Sequence, residues 1–259
     1  MPFDISRSAG AYLTIIAAVG LISSAQATPI NHTGSWDGAN SHLYQLLGFD
    51  NPGQLTDHQI QQDELWSISM SGGSVNTLMF EVAGYRNNNT FGIYDPLNPA
   101  NRVQIFEGND SPGGWNNGSQ RTLSINTNGG VMVYGPDSNN SMYMLTGQFS
   151  GNLFGYYLDG PGGTFFSQAS LNAGVDHMVS FQGDGEYHGA INGFAGGTWG
   201  SNEFILGWED LNSSNWDYDY NDFVVMVESV SPQTEVPVPA TLGIFALGLG
   251  LLGLRRRQR

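Results

Sequence analysis

Apolar and polar residues alternate along most of the chain, in short runs separated by glycine- and asparagine-rich stretches. Successive side chains of a β-strand point to opposite faces of its sheet, so this alternation predicts strands with one buried face. The first clear run ends at the Gly72-Gly73 turn. The predicted strands are 65–70, 77–83, 91–94, 102–106, 121–125, 131–134, 141–145, 154–158, 163–166, 177–181 and 223–227.

Helical periodicity is nearly absent between these runs. Residues 41–47 predict one short helix, and the rest of 28–63 is irregular. Closely spaced strands without a long amphipathic crossover helix favour antiparallel pairing. We therefore predict an all-β fold, an antiparallel β-sandwich of the jelly-roll type, as a single body over 28–230. A domain boundary near 135–140 is the alternative.

An acidic stretch before the apolar run at 223–227 offers oxygen ligands for a metal ion. Its members at 217, 219 and 221 occupy alternate positions, so their side-chain oxygens can converge on one side of the backbone. Carboxylate and amide oxygens suit Ca²⁺, whereas the stretch lacks the cysteine and histidine that zinc and copper prefer. The predicted calcium ligands are Glu209, Asp210, Asp217, Asp219, Asn221 and Asp222.

The acidic stretch could also be an EF-hand loop or a solvated acidic turn. An EF-hand loop would require glycine at the position of Asp222 and a helix where 223–227 predicts a strand, so we reject it. A solvated acidic turn, in which Asp and Asn side chains cap the backbone, remains the alternative to calcium binding.

The charge balance narrows the range of partners. The chain carries 23 acidic and 8 basic residues, has a formal net charge of −15 and contains no lysine. Nucleic acids and anionic membrane surfaces attract basic footprints, so neither is predicted as a partner of the body. Cysteine is also absent, so stability must come from sheet packing and from bound metal instead of disulfides.

A second polar cluster at 182–188 combines acids with histidine. Asp184 and Glu186 would be the carboxylate pair of a sugar hydrolase, and a hairpin turn at 183–185 is the structural alternative. The motifs of serine hydrolases, zinc proteases and phosphate-binding loops are absent from the sequence. We therefore predict no catalytic residue, no organic cofactor and no enzymatic activity. A carbohydrate-active hydrolase or glycan-binding module using Asp184 and Glu186 is the alternative.

Tryptophan side chains allow a further interpretation of the body. Their rings could stack on sugars, but large aromatic rings more often fill the core of a sandwich. The tryptophans in question are Trp66, Trp115, Trp199, Trp208 and Trp216.

The two ends of the chain predict export. Arg7, the apolar stretch 9–22 and the small residues Ala25 and Ala27 form the pattern of a signal peptide over 1–27, cleaved after Ala27. At the other end, 236–254 carries no charge and is long enough for a transmembrane helix. The arginines that follow would stay in the cytoplasm. Residues 231–235 are predicted to be a linker before this anchor.

The C-terminal segment 236–259 resembles the PEP-CTERM sorting signal of Gram-negative bacteria that make exopolysaccharide. The resemblance rests on Pro237, Val238 and Pro239, the glycine- and leucine-rich span, and the basic end at Arg255, Arg256 and Arg257. Valine stands where the family has glutamate. The resemblance implies processing by an exosortase after signal peptidase, a transient inner-membrane anchor, and delivery to the cell surface or exopolysaccharide matrix.

Residues 144–230 are similar to a bacterial domain of unknown function, number 4114. The similarity rests on the stretches 154–157, 176–179, 204–210 and 220–223. It implies a β-rich exported module and supplies no mechanism. The sequence thus predicts an exported, non-catalytic, calcium-binding protein of the cell surface or matrix, associated with exopolysaccharide.

Overall fold

A computed structural model describes residues 28–31, 42–81, 88–110, 119–136, 142–188, 197–212 and 216–233. These residues form two short α-helices and sixteen β-strands. The elements are α1 Leu43–Leu46, α2 Pro52–Thr56, β1 Gln59–Ile60, β2 Leu65–Ile68, β3 Ser74–Phe80, β4 Thr90–Asp95, β5 Asn98–Glu107, β6 Ser119–Ile125, β7 Gly130–Pro136, β8 Met142–Gln148, β9 Leu153–Gly160, β10 Gly163–Phe166, β11 Met178–Gln182, β12 Tyr187–His188, β13 Gly197–Thr198, β14 Glu203–Trp208, β15 Phe223–Glu228 and β16 Val230–Gln233.

Two antiparallel sheets face each other. The eight-stranded sheet has the order β1-β11-β14-β15-β3-β6-β7-β8, and the six-stranded sheet has the order β16-β2-β9-β4-β5 with β10 beside β9. Strands β12 and β13 form a separate two-stranded ribbon. This arrangement confirms the predicted all-β antiparallel sandwich.

The main core lies between the sheets and contains large rings from both of them. Trp66 of the six-stranded sheet contacts Tyr156 of the same sheet and Phe204 of the other, with the Trp66 and Phe204 ring centroids 4.9 Å apart. In β7 the predicted alternation is seen directly. Val131 and Val133 are buried, whereas the intervening Met132 is 40% exposed.

The central strands of the eight-stranded sheet are buried on both faces. Phe204 and Leu206 of β14 point into the main core, and Ile205 between them belongs to a second core on the outer face. This second core lies under α1 and α2, whose residues Leu43 and Leu55 are at most 1% exposed. Double burial explains why β14 and β15 are nearly continuous apolar runs instead of alternating ones.

Helices α1 and α2 form where the local sequence favours them. The helix predicted at 41–47 is present as α1, with shorter bounds, and α2 follows it. Asn51 caps α2 by accepting a hydrogen bond of 3.2 Å from the Gln54 N–H, and Pro52 occupies its first turn. The two helices therefore form a third layer over the outer face of the eight-stranded sheet.

The predicted linker at 231–235 requires a correction. Its first three residues belong to β16, which pairs with β2, so β15 is not the last strand. Ser229, in the left-handed conformation at φ 59°, turns the chain from one sheet to the other. Pro232 in this strand suggested a linker from sequence, but β16 lies at a sheet edge, where a residue without an N–H is tolerated.

The predicted signal peptide and sorting signal lie outside the described residues. So do Ala25 and Ala27 of the cleavage site, and Pro237, Val238, Pro239, Arg255, Arg256 and Arg257 of the sorting motif. Within the described ranges, no helix combines the length and the apolar character needed to cross a membrane.

Candidate metal site in the loop between β14 and β15

The acidic stretch is the loop that joins β14 and β15, two adjacent interior strands of the eight-stranded sheet. Strands β14 and β15 pair from Glu203 opposite Glu228 to Trp208 opposite Phe223. Glu209 and Asp210 directly follow the first strand, and Asp222 directly precedes the second. Antiparallel pairing therefore brings the two acidic ends of the stretch together, although they are separated in sequence.

Three of the six predicted ligands form a compact group. Glu209, Asp217 and Asp219 each offer a carboxylate oxygen, and these oxygens lie within 4.8 Å of one another. Glu209 and Asp219 are both 1% exposed, and Asp217 is half-buried. Asn221 is fully buried beside them, and its side-chain nitrogen donates a hydrogen bond of 2.7 Å to Asp219 Oδ2.

The backbone between these acids is tightly turned. Tyr218 and Tyr220, which alternate with the acids, have φ values of 64° and 55° in the left-handed region. The carboxylates thus converge because the loop coils and not because it is extended. The coil rests on Gly207, where an added Cβ would lie 2.6 Å from the Tyr220 carbonyl oxygen. Glycine is therefore needed at this point of β14.

Crowded negative charge in a buried place changes the acidity of the group. Burial is the main cause that raises the pKa of Glu209 to about 9; the hydrogen bond from the Tyr220 N–H opposes this, and the charges of Asp217 and Asp219 add to it. At neutral pH the metal-free loop therefore holds Glu209 in its protonated form. A bound dication would reverse this preference, because it favours the ionised carboxylate.

Asp210 and Asp222 form a second group at the loop ends. Asp222 Oδ2 accepts a hydrogen bond of 3.0 Å from the Asp210 N–H, and Asn89 donates one of 3.1 Å to Asp210 Oδ2. Burial raises the pKa of Asp210 and, with the charges of Asp210 and Glu209, raises that of Asp222 well above its usual value. The six predicted ligands thus form two adjoining groups, and both groups accept hydrogen bonds from the protein.

The turn between β9 and β10 supports this second group from the neighbouring sheet. Gly162 N–H donates a hydrogen bond of 3.0 Å to the Asp210 carbonyl, and a Cβ at Gly162 would lie 2.7 Å from the Leu211 Cα. Sequence reasoning missed both this turn and Asn89. The distance along the chain explains the omission, since Asn89 lies 121 residues from its partner.

A stack of four aromatic rings anchors the other side of the loop. Phe165 and His177 stack at 3.6 Å between centroids, His177 and Trp216 at 4.5 Å, and Trp216 and Tyr218 at 4.5 Å. Burial lowers the pKa of His177 to about 4, so the imidazole is neutral at physiological pH. Exposure increases outward along the stack, from 3% at His177 to 45% at Tyr218.

A cavity of about 560 Å³ opens beside this stack. Its lining includes Ile30, Val175, Trp216, Tyr218 and Tyr220. Within this cavity, the exposed ring of Tyr218 is accessible to solvent.

Of the other four tryptophans considered as sugar-binding residues, three are buried in the cores and one lies outside the described residues. Trp66, Trp199 and Trp208 are at most 2% exposed, so they fill cores and are not sugar platforms in this conformation. Trp115 lies outside the described residues.

The second predicted cluster lies at the opposite end of β14. Asp184 and Glu186 are both exposed, and Asp184 Oδ1 accepts hydrogen bonds from the Glu186 N–H at 2.8 Å and from His188 Nε2 at 3.0 Å. These bonds lower the pKa of Asp184. The structure adds His58 to this cluster, from a turn that sequence reasoning left aside.

The donor set of the loop fits a hard cation. All of its side-chain candidates offer carboxylate or amide oxygens, the ligands that Ca²⁺ and Mg²⁺ take. The three converging carboxylates supply enough negative charge to bind a dication, and Asn221 and backbone carbonyls are within the same loop. These six residues include no cysteine or histidine, the ligands that zinc and copper prefer.

The fold and the loop together define an all-β sandwich closed at one end by an acidic hairpin loop. A family model described as "Domain of unknown function (DUF4114)" matches residues 114–230, which include this loop. The similarity predicted for 144–230 is thus confirmed, and it begins earlier. This part of the chain carries that domain, which covers less than half of the 259 residues. No curated protein and no solved structure matches the chain.

Proposed function

We propose that the chain is an exported, non-catalytic, calcium-binding protein of the cell surface or exopolysaccharide matrix. The observation that carries the calcium part is the convergence of the Glu209, Asp217 and Asp219 carboxylate oxygens within 4.8 Å in the loop between β14 and β15. Buried carboxylates at such distances repel one another when ionised. A dication would turn that repulsion into attraction.

Calcium binding at this place has a structural purpose in the proposal. The loop connects the strands that contribute to both cores, so holding it fixes the middle of the eight-stranded sheet. With no cysteine in the chain, the ion would act where a disulfide acts in other exported proteins. The affinity would match an extracellular role, where calcium is abundant and weak sites are occupied.

Export and sorting are supported by sequence features alone. The signal-peptide pattern with Ala25 and Ala27, and the motif at Pro237 to Pro239 with its arginine end, would send the body across the inner membrane. An exosortase would then release it from a transient anchor. Deleting 236–259 is expected to leave the protein in the periplasm, and unchanged surface delivery of the truncated chain would refute this part of the proposal.

Calcium titration of the thermal transition tests the binding. With calcium at about 100 times its Kd, mass action adds about 2.7 kcal/mol, which corresponds to a rise in Tm of roughly 5–10 °C for a domain of this size. Asp219→Asn should abolish the rise. In the metal-free state the same variant should be as stable as the wild type or more so, because a buried negative charge is removed.

The matched control is Asp184→Asn, the same chemical change at an exposed acid at the other end of the sheet. It should retain the full calcium response. A wild-type Tm that does not move at millimolar calcium, or an equal response in Asp219→Asn, would rule out the loop as the site.

Glycan binding is a second candidate function, favoured by the cavity beside Trp216 and Tyr218. Tyr218 is 45% exposed and ends the ring stack, so its outer face is available to a sugar ring. Tyr218→Ala should weaken retention on the polysaccharide of the producing bacterium, whereas Tyr134→Ala, another exposed tyrosine at 38%, should not. Equal retention of both variants would eliminate this surface.

A hydrolase using Asp184 and Glu186 is less well supported. The general acid of a glycosidase is kept protonated by a buried, apolar environment, whereas Asp184 and Glu186 are both exposed. Turnover of the same polysaccharide, lost in Asp184→Asn, would nevertheless establish the enzyme over the binding protein.

A further inference from the structure

A second cluster of metal-ligand residues lies at the opposite end of β14 from the acidic loop. His58, Asp184 and His188 each offer one ligand atom, and these atoms lie within 4.8 Å of one another. His58 precedes β1, Asp184 follows β11 and His188 ends β12. Two segments far apart in the chain, one with His58 and one with Asp184 and His188, thus bring two imidazoles and one carboxylate to one place.

The pairing of β1 with β11 positions His58. Gln59 lies opposite Phe181, and the Gln182 N–H donates a hydrogen bond of 2.8 Å to the His58 carbonyl. The Nδ1 of His58 lies 3.1 Å from the Gln182 carbonyl oxygen. A carbonyl accepts and does not donate, so this contact places the proton on Nδ1 and leaves the lone pair on Nε2. A carbonyl contact of this kind orients metal-ligating histidines.

A hairpin holds the other two residues. Gly185, at φ 87°, allows the turn in which Asp184 accepts a hydrogen bond from the Glu186 N–H. His188 belongs to the ribbon formed by β12 and β13, and its Nε2 lies 3.0 Å from Asp184 Oδ1. In the metal-free protein a proton joins these two atoms. A metal ion between them would replace that proton.

Aromatic rings form one wall of the cluster. The Trp199 ring, 2% exposed, lies 4.9 Å from the His58 ring and 5.6 Å from the His188 ring between centroids. The Phe49 ring lies 5.6 Å and 5.7 Å from the same two imidazoles. The rings limit water on this side and restrict the imidazole rotamers.

The other side is open. A cavity of about 550 Å³ reaches His58, Asp184 and His188 and is also lined by Asp50, Gln54 and Asp57. Three protein ligands with an open fourth position is the arrangement of a metal site that also takes water or a small ligand.

We propose that His58, Asp184 and His188 form a site for a divalent transition metal, of which Zn²⁺ is the representative, distinct from the calcium site of the acidic loop. The ligand types decide the class of metal, because imidazole nitrogen favours zinc and its neighbours over calcium. Bonds of about 2.0–2.1 Å in tetrahedral geometry require ligand atoms roughly 3.3 Å apart. His188 Nε2 and Asp184 Oδ1 are already 3.0 Å apart, and all three ligand atoms lie within 4.8 Å of one another.

Zn²⁺ titration of the full-length protein by calorimetry, with saturating Ca²⁺ present, tests this site separately from the acidic loop. The expected result is one Zn²⁺ per chain, with Kd weakened at least about tenfold in His58→Ala, His188→Ala and Asp184→Asn. Glu186→Gln, a neighbouring acid outside the ligand set, and Asp219→Asn, in the acidic loop, should bind Zn²⁺ like the wild type. Co²⁺ in place of Zn²⁺ should give the visible absorption of a tetrahedral site, lost in the three ligand variants.

His58→Ala removes an aromatic contact and can disturb folding, so Asp184→Asn, at an exposed position with no ring contact, decides the matter if the histidine variants do not fold. Wild-type protein that binds no Zn²⁺ would overturn the proposal. So would Zn²⁺ binding that is unchanged in Asp184→Asn, or a visible Co²⁺ band that persists in it. Calcium is saturating throughout, so the absence of Zn²⁺ binding would not contradict the calcium proposal. The absence of a calcium response in the thermal transition would likewise not contradict the zinc proposal.

Discussion

The Glu209 carboxylate accepts a hydrogen bond of 2.8 Å from the backbone N–H of Tyr220, eleven residues further along the chain. Tyr220 is fully buried in the outer core, and its hydroxyl donates a hydrogen bond of 3.0 Å to the Asp176 carbonyl. Glu209 is therefore connected, through one backbone group, to the packing of the whole outer face. Its protonation state should therefore influence the stability of the domain.

The metal-free protein should lose stability as pH rises from about 6.5 to 9. In this range an unfolded-state glutamate is ionised, whereas the folded-state pKa of about 9 keeps Glu209 protonated. The folded state then binds more protons than the unfolded state, so the free energy of unfolding decreases with pH, by at most about 1.4 kcal/mol per pH unit for this group. Urea denaturation in a calcium chelator at several pH values measures the slope.

Glu209→Gln is the control for that slope. Glutamine keeps an acceptor for the Tyr220 N–H and does not titrate, so the decrease should become shallower. Saturating calcium should also flatten the wild-type slope, since the ion favours the ionised carboxylate. A slope that is identical in wild type and Glu209→Gln would contradict the assignment.

At acid pH the ring stack should be the sensitive element. The His177 pKa of about 4 lies below the unfolded value, so between about pH 6.5 and 4 the unfolded state takes up a proton that the folded state does not. Stability contributed by the neutral imidazole is present above pH 6.5 and is lost as pH falls through this window. The raised pKa values of Glu209, Asp210 and Asp222 act in the opposite direction over part of this window, so the His177 contribution is measured as a difference. His177→Phe keeps a ring between Phe165 and Trp216, and the stability of the wild type relative to this variant should decrease from pH 7 to 4 in paired Tm profiles.

Gly207→Ala should destabilise the domain by about 2–3 kcal/mol, as overpacking against backbone does. The added Cβ would lie 2.6 Å from the Tyr220 carbonyl oxygen and would push the acidic loop away from β14. Gly72→Ala is the matched change, because a Cβ there meets nothing within 4 Å. Denaturant unfolding should separate the two variants clearly, and the calcium response should weaken only in Gly207→Ala. Equal stabilities would mean that the loop is not seated on Gly207.

The fragment 114–230, which matches the family model, should not fold by itself. Strand β3, which precedes the fragment, lies between β15 and β6, and β2, which also precedes it, lies between β16 and β9. Without them the fragment has two interrupted sheets with unpaired edges. Near-ultraviolet circular dichroism of this fragment beside residues 28–233 tests the prediction; a cooperative transition in the shorter chain would contradict it.

Part of the site could be predicted from the sequence because it is local. The acidic residues at both ends of the loop and the apolar run after it are visible as composition, and antiparallel pairing of the flanking strands brings them together. The alternation in β7 is equally local, since it depends only on the two faces of a strand. The division of the six acids into two groups depends on left-handed turns at Tyr218 and Tyr220, which a tyrosine does not signal.

The class of fold and the chemical type of the acidic loop can be predicted from the sequence, because periodicity and ligand type are properties of neighbouring residues. Three features required the tertiary structure: α1 and α2 cover the outer face, β16 crosses to the second sheet, and His58 meets Asp184 and His188. They depend on strand register, which joins residues far apart in the chain. His58 reaches Gln182 across 124 residues through the pairing of β1 with β11, a contact that local periodicity does not encode.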